Sequence, residues 1–173
     1  YILIKYMRAV IFPGQGSQFV GMGSDFYEQH DSVKKIFKTV DETLGFSLSN
    51  IILKGPESVL KLTQNTQPAI MAVGVSIFQV LKENYNLDLS NSKFFAGHSL
   101  GEYTALVCSN SLTIEKAAYL LHERGKAMQK AVPSGEGAMT AVLGMSLDQV
   151  ENEISELSKK GVCEVANDNC NGQ

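Results

Sequence analysis

The sequence predicts an α/β fold with a parallel sheet, followed by a smaller subdomain. Short apolar runs alternate with segments of helical periodicity through residue 132, which is the pattern of strands connected by helices. A serine flanked by glycines stands where one apolar run gives way to a helical segment, and a β-α-β pattern follows a stretch rich in Pro, Gly and Ser. A chain of 173 residues, of which 44% are hydrophobic and 19% charged, is long enough to bury a sizeable core.

The composition excludes several classes of protein. The formal net charge of −3 provides no global basic field for nucleic acid or an anionic membrane. The apolar stretches fall short of the ~20 residues that a transmembrane helix needs. Three cysteines without a C-x-x-C pair predict neither a disulfide framework nor a zinc site. We therefore expect a cytoplasmic protein that binds no metal, nucleic acid or membrane.

The first strand and the first helix are defined by their ends. The run RAVIF at 8–12 is β-branched and aromatic, and Pro13 ends it. The segment 32–44 has apolar residues at helical spacing. Asp31 is predicted to cap this helix, and Gly45 to end it.

The middle of the chain predicts a short helix and then a long buried one. PESVLKLT at 56–63 is the short piece. Thr66 is predicted to cap the helix 67–83, with Pro68 in its first turn. That helix is apolar nearly all round, so we expect it to lie inside the core.

The remaining segments continue the alternation. The large subdomain is predicted to end with a strand at 93–97, a helix at 100–110 and a helix at 113–131. After the linker VPSGEG, the small subdomain is predicted to hold a strand at 138–144, an amphipathic helix at 146–160 and a strand at 162–167.

Ser99 is the strongest candidate for chemistry. It lies in G-x-S-x-G, between Gly97 and Gly101, at the junction of a predicted strand and helix. That context is typical of a nucleophile elbow, in which the turn strains the serine backbone and the glycines let strand and helix pass closely. Its hydroxyl would then lie at the positive end of a helix, where N–H groups can hold an oxyanion. The alternative is a glycine-flanked turn in which the serine is only a cap.

None of the histidines is a convincing general base from the sequence. His98 is adjacent to Ser99, but neighbouring side chains in an extended segment point to opposite sides, so we expect its ring to diverge from the serine. We expect a packed or hydrogen-bonded role for it. His122 lies in a helix and His30 near a helix start, and neither has a visible acidic partner.

The glycine-rich loop FPGQGSQFVGMG at 12–23 follows the first strand. It is not a phosphate loop, because Met22 stands where the lysine should be. It is not a dinucleotide fingerprint either, because Phe19 occupies the place of the third glycine. Its N–H groups can still be offered to an oxyanion, and a plain tight loop remains the alternative.

Four motifs in register carry a family resemblance. FPGQGSQFVGMG, TQPAI, GHSLGEYTALV and ERGKAMQKAVPSGEGAM occur in this order at suitable distances. Together they resemble the malonyl-CoA:acyl carrier protein transacylases and the related acyltransferase domains of polyketide and fatty acid synthases. The resemblance implies an α/β-hydrolase-like subdomain at 8–132 and, at 133–173, part of an inserted ferredoxin-like subdomain.

The resemblance assigns roles residue by residue. Ser99 matches the acylated serine, Gln15 and Leu100 match the oxyanion-hole positions, Gln67 matches a cleft-lining glutamine, and Arg124 matches the arginine that binds the malonyl carboxylate. The segment NDNCNGQ resembles the junction of the two subdomains, although it has Asn171 where the family usually has proline.

Arg124 has support of its own. An apolar stripe runs along its helix, and Arg124 lies on the flank of that stripe beside Ala117. An arginine at the edge of a buried face needs an anionic partner or a wet cleft, and its fork of donors matches a carboxylate. A snorkelling arginine or a structural salt bridge is the alternative from the residues alone.

The implied reaction is ping-pong transfer of a malonyl group from coenzyme A to the pantetheine thiol of acyl carrier protein. The resemblance implies malonyl-CoA as a substrate and no permanently bound cofactor, and we expect a monomer. The family's catalytic histidine lies beyond the stretch that this chain covers. Residues 1–7 are interpreted as an extra N-terminal segment, with an additional strand as the alternative, and the polar C-terminal cluster suggests a fragment. A serine esterase or thioesterase, or an inactive fragment that lacks the histidine, remain the alternatives.

Overall fold

The computed structural model describes residues 8–132 and 136–173. These ranges fall into two compact units, which are described separately. The predicted extra segment at 1–7 and part of the predicted linker lie outside the described residues. The names given to the two parts, an acyltransferase subdomain and a ferredoxin-like subdomain, stay predictions.

The first unit contains a parallel pair of strands. β1 spans Ala9–Phe12 and β2 spans Phe94–Gly97, and Ala9 lies opposite Phe94 and Phe12 opposite Gly97. The α/β class and the parallel pairing predicted from the alternation are therefore confirmed. Side chains alternate between the two faces of the sheet, so Phe12 is 6% exposed whereas Ile11 is 75% exposed.

Helices form the rest of this unit. They are α1 Ser24–Gln29, α2 Asp31–Leu44, α3 Leu48–Lys54, α4 Glu57–Leu60, α5 Thr63–Asn84, α6 Gly101–Cys108 and α7 Ile114–Ala131. The core lies among α2, α3, α5 and α7 and is filled mainly by aliphatic side chains; its largest fully buried members are Phe37, Leu48, Ile52, Leu60, Met71, Leu100 and Leu121. A second, smaller cluster joins the inner face of the sheet to α6 through Phe12, Ala105 and Cys108.

The start of α2 differs slightly from the prediction. Asp31 is the first residue of the helix, and His30 holds the N-cap position. The Asp31 carboxylate instead forms an ion pair with Lys34 at 2.9 Å, in the first turn, where negative charge suits the helix dipole. Gly45 ends the helix with φ at 75°, as predicted.

The long helix α5 begins one turn earlier than predicted. Thr66 is inside the helix, and its hydroxyl donates to the carbonyl oxygen of Leu60 at 2.5 Å. Asn65 donates from Nδ2 to Val59 O at 3.0 Å. These two bonds fasten the first turn to α4, so tertiary contacts stabilise a turn that the sequence pattern assigned to the cap. Pro68 therefore lies inside the helix.

The second unit contains the predicted helix without the predicted strands. α8 spans Leu147–Ser158 and begins with a capping box formed by Ser146 and Gln149. The strands expected at 138–144 and 162–167 are wrong, since neither segment is a strand in the described residues. A strand needs a hydrogen-bonded neighbour, and the described part of the chain provides no ladder partner for either segment.

Candidate active site

Ser99 occupies the sharp turn between β2 and α6. Its φ is 55°, a left-handed conformation that residues with a side chain rarely adopt. A Cβ at Gly97 would collide with the backbone of Gly101 and Glu102, and a Cβ at Gly101 would come within 2.6 Å of Phe12 O. Strand and helix therefore pass at backbone contact. The geometry is that of the elbow predicted from G-x-S-x-G.

Arg124 connects the elbow to the long helix. Its Nη2 donates to Ser99 Oγ at 3.0 Å, and its Nη1 donates to Gln67 Oε1 at 2.6 Å. The three residues come from the elbow, α7 and α5. The structure therefore brings together three of the predicted site residues, which are separated in sequence.

Gln67 is the buried anchor of this arrangement. The residue is 0% exposed, and its Nε2 approaches Met128 Sδ at 3.3 Å. Because a thioether can only accept, this contact orients the amide so that Oε1 faces the guanidinium. Met128 is an apolar residue near the end of α7, where helical spacing favours burial. It is instead 46% exposed, and its sulfur contacts the site.

α7 approaches α5 at backbone contact beside Arg124. A Cβ at Gly125 would lie 2.5 Å from Gln64 N and 2.7 Å from Thr63 C. One turn earlier, His122 Nδ1 lies 2.9 Å from Gln64 O, and the residue is 9% exposed. Sequence analysis identified the buried face of the helix but missed these two contacts. The glycine and the histidine next to the arginine were the available signals.

The two predicted oxyanion-hole residues lie at the start of α6 and in the loop after β1. Leu100 is the N-cap residue of α6 and is 0% exposed, so its backbone N–H lies at the positive end of that helix. Gln15 is exposed in the loop after β1, next to Gly16, whose N–H donates to Gln18 Oε1 at 2.8 Å. Within the described residues, neither the Gln15 nor the Leu100 N–H donates to another backbone group in a turn, loop or cap. Their role as an oxyanion hole stays a prediction.

The histidines and cysteines have other surroundings. The His98 ring packs on the loop, since a Cβ at Gly14 would lie 2.6 Å from its Nδ1. His30 stacks on Phe26 at 6.3 Å between centroids. Burial raises the pKa of the Cys108 thiol to about 12, which disfavours the thiolate. Cys108 is therefore not a candidate nucleophile.

The described residues contain no group of three His, Cys, Asp or Glu side chains that could hold a metal ion. None of the described helices is both long and apolar enough to cross a membrane.

The fold and the candidate site together define the class, an α/β protein with a serine at a sharp strand-to-helix turn and an arginine in contact with that serine. The chain matches the family described as "Acyl transferase domain" over residues 9–169. It therefore belongs to the acyl transferase domain family, and the resemblance found in the motifs is confirmed.

The individual relatives of this chain are named as malonyl transferases. The malonyl CoA-acyl carrier protein transacylase of Bacillus subtilis is 43% identical over 166 residues, which cover 95% of this chain and 51% of the relative. The crystal structure of an acyl-carrier-protein-S-malonyltransferase from Bartonella henselae matches with a TM-score of 0.86 and 44% identity, over 94% of this chain and 52% of that one.

A second structure, a malonyl-transacylase in complex with a type II PKS acyl-carrier protein, matches with a TM-score of 0.81 and 38% identity, over 89% of this chain and 49% of that one. The chain spans about half the length of the relatives it matches.

Proposed function

We propose that this chain supplies the nucleophile and the carboxylate-binding arginine of a malonyl-CoA:acyl carrier protein transacylase. The observation that supports this most strongly is the contact between Arg124 Nη2 and Ser99 Oγ at 3.0 Å. A guanidinium beside a nucleophile suits an acyl group that carries its own carboxylate, because it can pair with the anion through two parallel hydrogen bonds. A simple ester substrate would give the arginine no such partner.

The proposed reaction has two half-reactions. Ser99 Oγ attacks the thioester carbonyl of malonyl-CoA, and the carbonyl oxygen becomes an oxyanion that accepts from the N–H groups of Leu100 and Gln15. Collapse of this intermediate expels the coenzyme A thiolate, which takes a proton, and leaves malonyl-Ser99. The pantetheine thiol of acyl carrier protein then attacks the ester and restores the serine.

The two proposed substrates are taken from the names of the relatives. The relatives are named for malonyl CoA and acyl carrier protein, and one solved structure contains a transacylase with an acyl-carrier protein bound. We propose the same substrates for the full-length protein, by which we mean this chain together with the portion by which its relatives are longer. The general base that removes the serine proton is proposed to come from that portion, because His122 is committed to Gln64 and His98 packs on the loop.

The test is trapping of the acyl-enzyme. Full-length protein is incubated briefly with malonyl-CoA, and the peptide containing GHSLGE is analysed by mass spectrometry. We expect one malonyl adduct, on Ser99, and none in Ser99→Ala. Ser109→Ala, which removes the hydroxyl of the C-cap residue of the same helix, serves as the matched control and should be acylated normally. An adduct that persists in Ser99→Ala would contradict the proposal.

A further inference from the structure

One carbonyl of α5 lacks its usual α-helical donor. In an α-helix the N–H of each residue donates to the carbonyl four residues earlier. Pro68 has no N–H, so the carbonyl of Gln64 receives no hydrogen bond from that position. A buried carbonyl without a partner is destabilising, and another donor is expected to occupy it.

His122 is that donor. Its Nδ1 lies 2.9 Å from Gln64 O, and the residue is 9% exposed. The ring also packs against Phe46, with centroids 5.4 Å apart and ring planes tilted by 49°. Since a carbonyl can only accept, Nδ1 carries the proton. Packing and the hydrogen bond together fix the orientation of the imidazole.

This contact lies next to the proposed substrate-binding arginine. His122 and Arg124 are in the same helix, α7, and Gln64 and Gln67 are in the same turn of α5. The hydrogen bond from His122 to Gln64 and the one from Arg124 to Gln67 therefore join the same two backbone segments. Gly125 allows the close approach that both bonds need.

We propose that His122 is a positioning residue for Arg124. By donating to the carbonyl that Pro68 leaves open, it fixes the rotation and register of α7 against α5, and thereby the place of the guanidinium beside Ser99. The inference rests on the proposed function for its consequence in catalysis. Within the described residues, the hydrogen bond of His122 goes to Gln64 and those of Arg124 go to Gln67 and Ser99. His122 therefore acts on the arginine through the helix.

The kinetic test compares three substitutions in the full-length protein. The His122→Asn variant has an amide N–H close to the position of the histidine Nδ1. The His122→Gln variant has its amide N–H close to the position of Nε2, and His122→Leu has no side-chain donor. With His122→Leu, kcat/KM for malonyl-CoA should fall about tenfold, the effect of one net hydrogen bond and an orphaned carbonyl, while acetyl-CoA is barely affected. His122→Gln should resemble Leu, and His122→Asn should resemble wild type. Equal losses for both substrates, or an Asn variant as poor as Leu, would overturn the inference.

A second arm does not depend on the reaction. In 15N-labelled protein, the guanidinium N–H signals of Arg124 should be separate in wild type and in His122→Asn, because hydrogen bonds restrain the group. They should average in His122→Leu. If wild type fails to transfer malonyl groups, the proposed function fails, and this signature still decides the positioning role. Restrained signals in His122→Leu would overturn that role.

The Pro68→Ala variant tests whether His122 is needed when Gln64 O can accept a hydrogen bond from its own helix. Alanine at 68 restores an N–H that can bond to Gln64 O within α5, so His122→Leu should matter much less there. Thermal unfolding of the two single variants and the double variant measures the coupling. Additive effects would mean that His122 and the proline-freed carbonyl are not partners.

Discussion

At the residue scale, Arg124 is held in place before any ligand arrives. One hydrogen bond goes to the buried amide of Gln67 and another to the hydroxyl oxygen of Ser99. Because Ser99 Oγ accepts from the arginine, its own hydrogen is left for a base. A guanidinium that is already oriented loses less side-chain entropy when it binds a carboxylate.

We predict that Arg124→Ala in the full-length protein impairs malonyl transfer far more than acetyl transfer. Charge-assisted hydrogen bonds contribute roughly 1.5–3 kcal/mol, which corresponds to about one to two orders of magnitude in discrimination. An acetyl group has no carboxylate, so its transfer should not depend on the guanidinium. Arg124→Lys should restore only part of the loss, because it keeps the charge but not the fork. The measurement is kcat/KM for malonyl-CoA and acetyl-CoA.

The control for this prediction is Lys126→Ala. Lys126 is a solvent-facing cation on the same helix, paired with Glu123 at 2.8 Å, and its removal should leave both substrates unaffected. If Arg124→Ala reduced both reactions equally, the arginine would stabilise the fold rather than bind the malonyl carboxylate. That result would favour the esterase alternative.

Thiol reactivity is a second prediction at this scale. Burial raises the pKa of Cys108 to about 12, whereas Cys170 is exposed. At pH 8 we expect a disulfide reagent to modify Cys170 quickly and Cys108 only on unfolding, since the thiolate is the reactive form. Peptide mapping after timed labelling measures both, with Cys170→Ser as the control. Rapid labelling of Cys108 in folded protein would show that the contact between α6 and the sheet opens readily.

The sequence predicted the polar residues of the site better than their supports. Ser99, Gln67 and Arg124 belong to short motifs that carry their chemistry with them. The partners Met128 and His122 depend on how α7 faces α5, which is decided by contacts between distant segments. Helical periodicity gives the buried face of a helix but not the atoms that meet there.

At the element scale, the pairing of α5 with α7 places the site. Gly125 has no side chain to separate the two backbones where they meet, and Ala117, Ala118 and Leu121 continue the buried face of α7. Both of these helices were predicted because long periodic segments are strong signals, whereas the short helices α1 and α3 were not predicted. The first turn of α5 was missed because its stability comes from Thr66 and Asn65 bonding to α4.

The predicted strands of the second unit show the opposite error. Their apolar, β-branched residues suit a sheet, yet Met139 is 80% exposed and Val162 is 96% exposed. Propensity for a strand is a preference for a pleated, half-buried surface, and it has no effect without a neighbour to pair with.

We predict that Gly125→Ala is destabilising although alanine is the better helix former. In an exposed helix this change would stabilise by up to about 1 kcal/mol. Here the new Cβ would meet the backbone of Thr63 and Gln64, which cannot move aside as a side chain can. We expect a loss of about 1–3 kcal/mol in unfolding free energy, together with impaired malonyl transfer.

Gly74→Ala is the matched comparison on α5. Its Cβ would meet the Cγ2 atom of Thr104 at 3.0 Å, the end of a side chain, so the change should be milder. Urea unfolding of both variants gives the difference. If Gly125→Ala proved as stable as wild type, the close approach of α7 to α5 would be wrong.

At the scale of the whole molecule, one face of the sheet has no cover in the described residues. Val10 and Phe12 pack toward α5 and α6, while Ile11 is 75% exposed and Phe94 is 56% exposed on the other face. Parallel sheets are found almost always with both faces covered. The chain spans about half the length of its relatives, so the portion by which they are longer is the natural candidate for the cover.

We therefore predict that Ile11→Asp has different effects in two forms of the protein. In the full-length form the side chain should be buried, and the substitution should lower the unfolding free energy by at least the roughly 1.5–3 kcal/mol that burial of an isoleucine contributes. A carboxylate placed in an apolar layer adds a further penalty. In the 173-residue chain alone, the same substitution should change stability little and should reduce binding of a hydrophobic dye. Ile11→Leu is the conservative control in both forms, and calorimetry with dye fluorescence provides the measurements. A small effect in both forms would mean that this face stays open in the full-length protein, and that the added portion packs elsewhere.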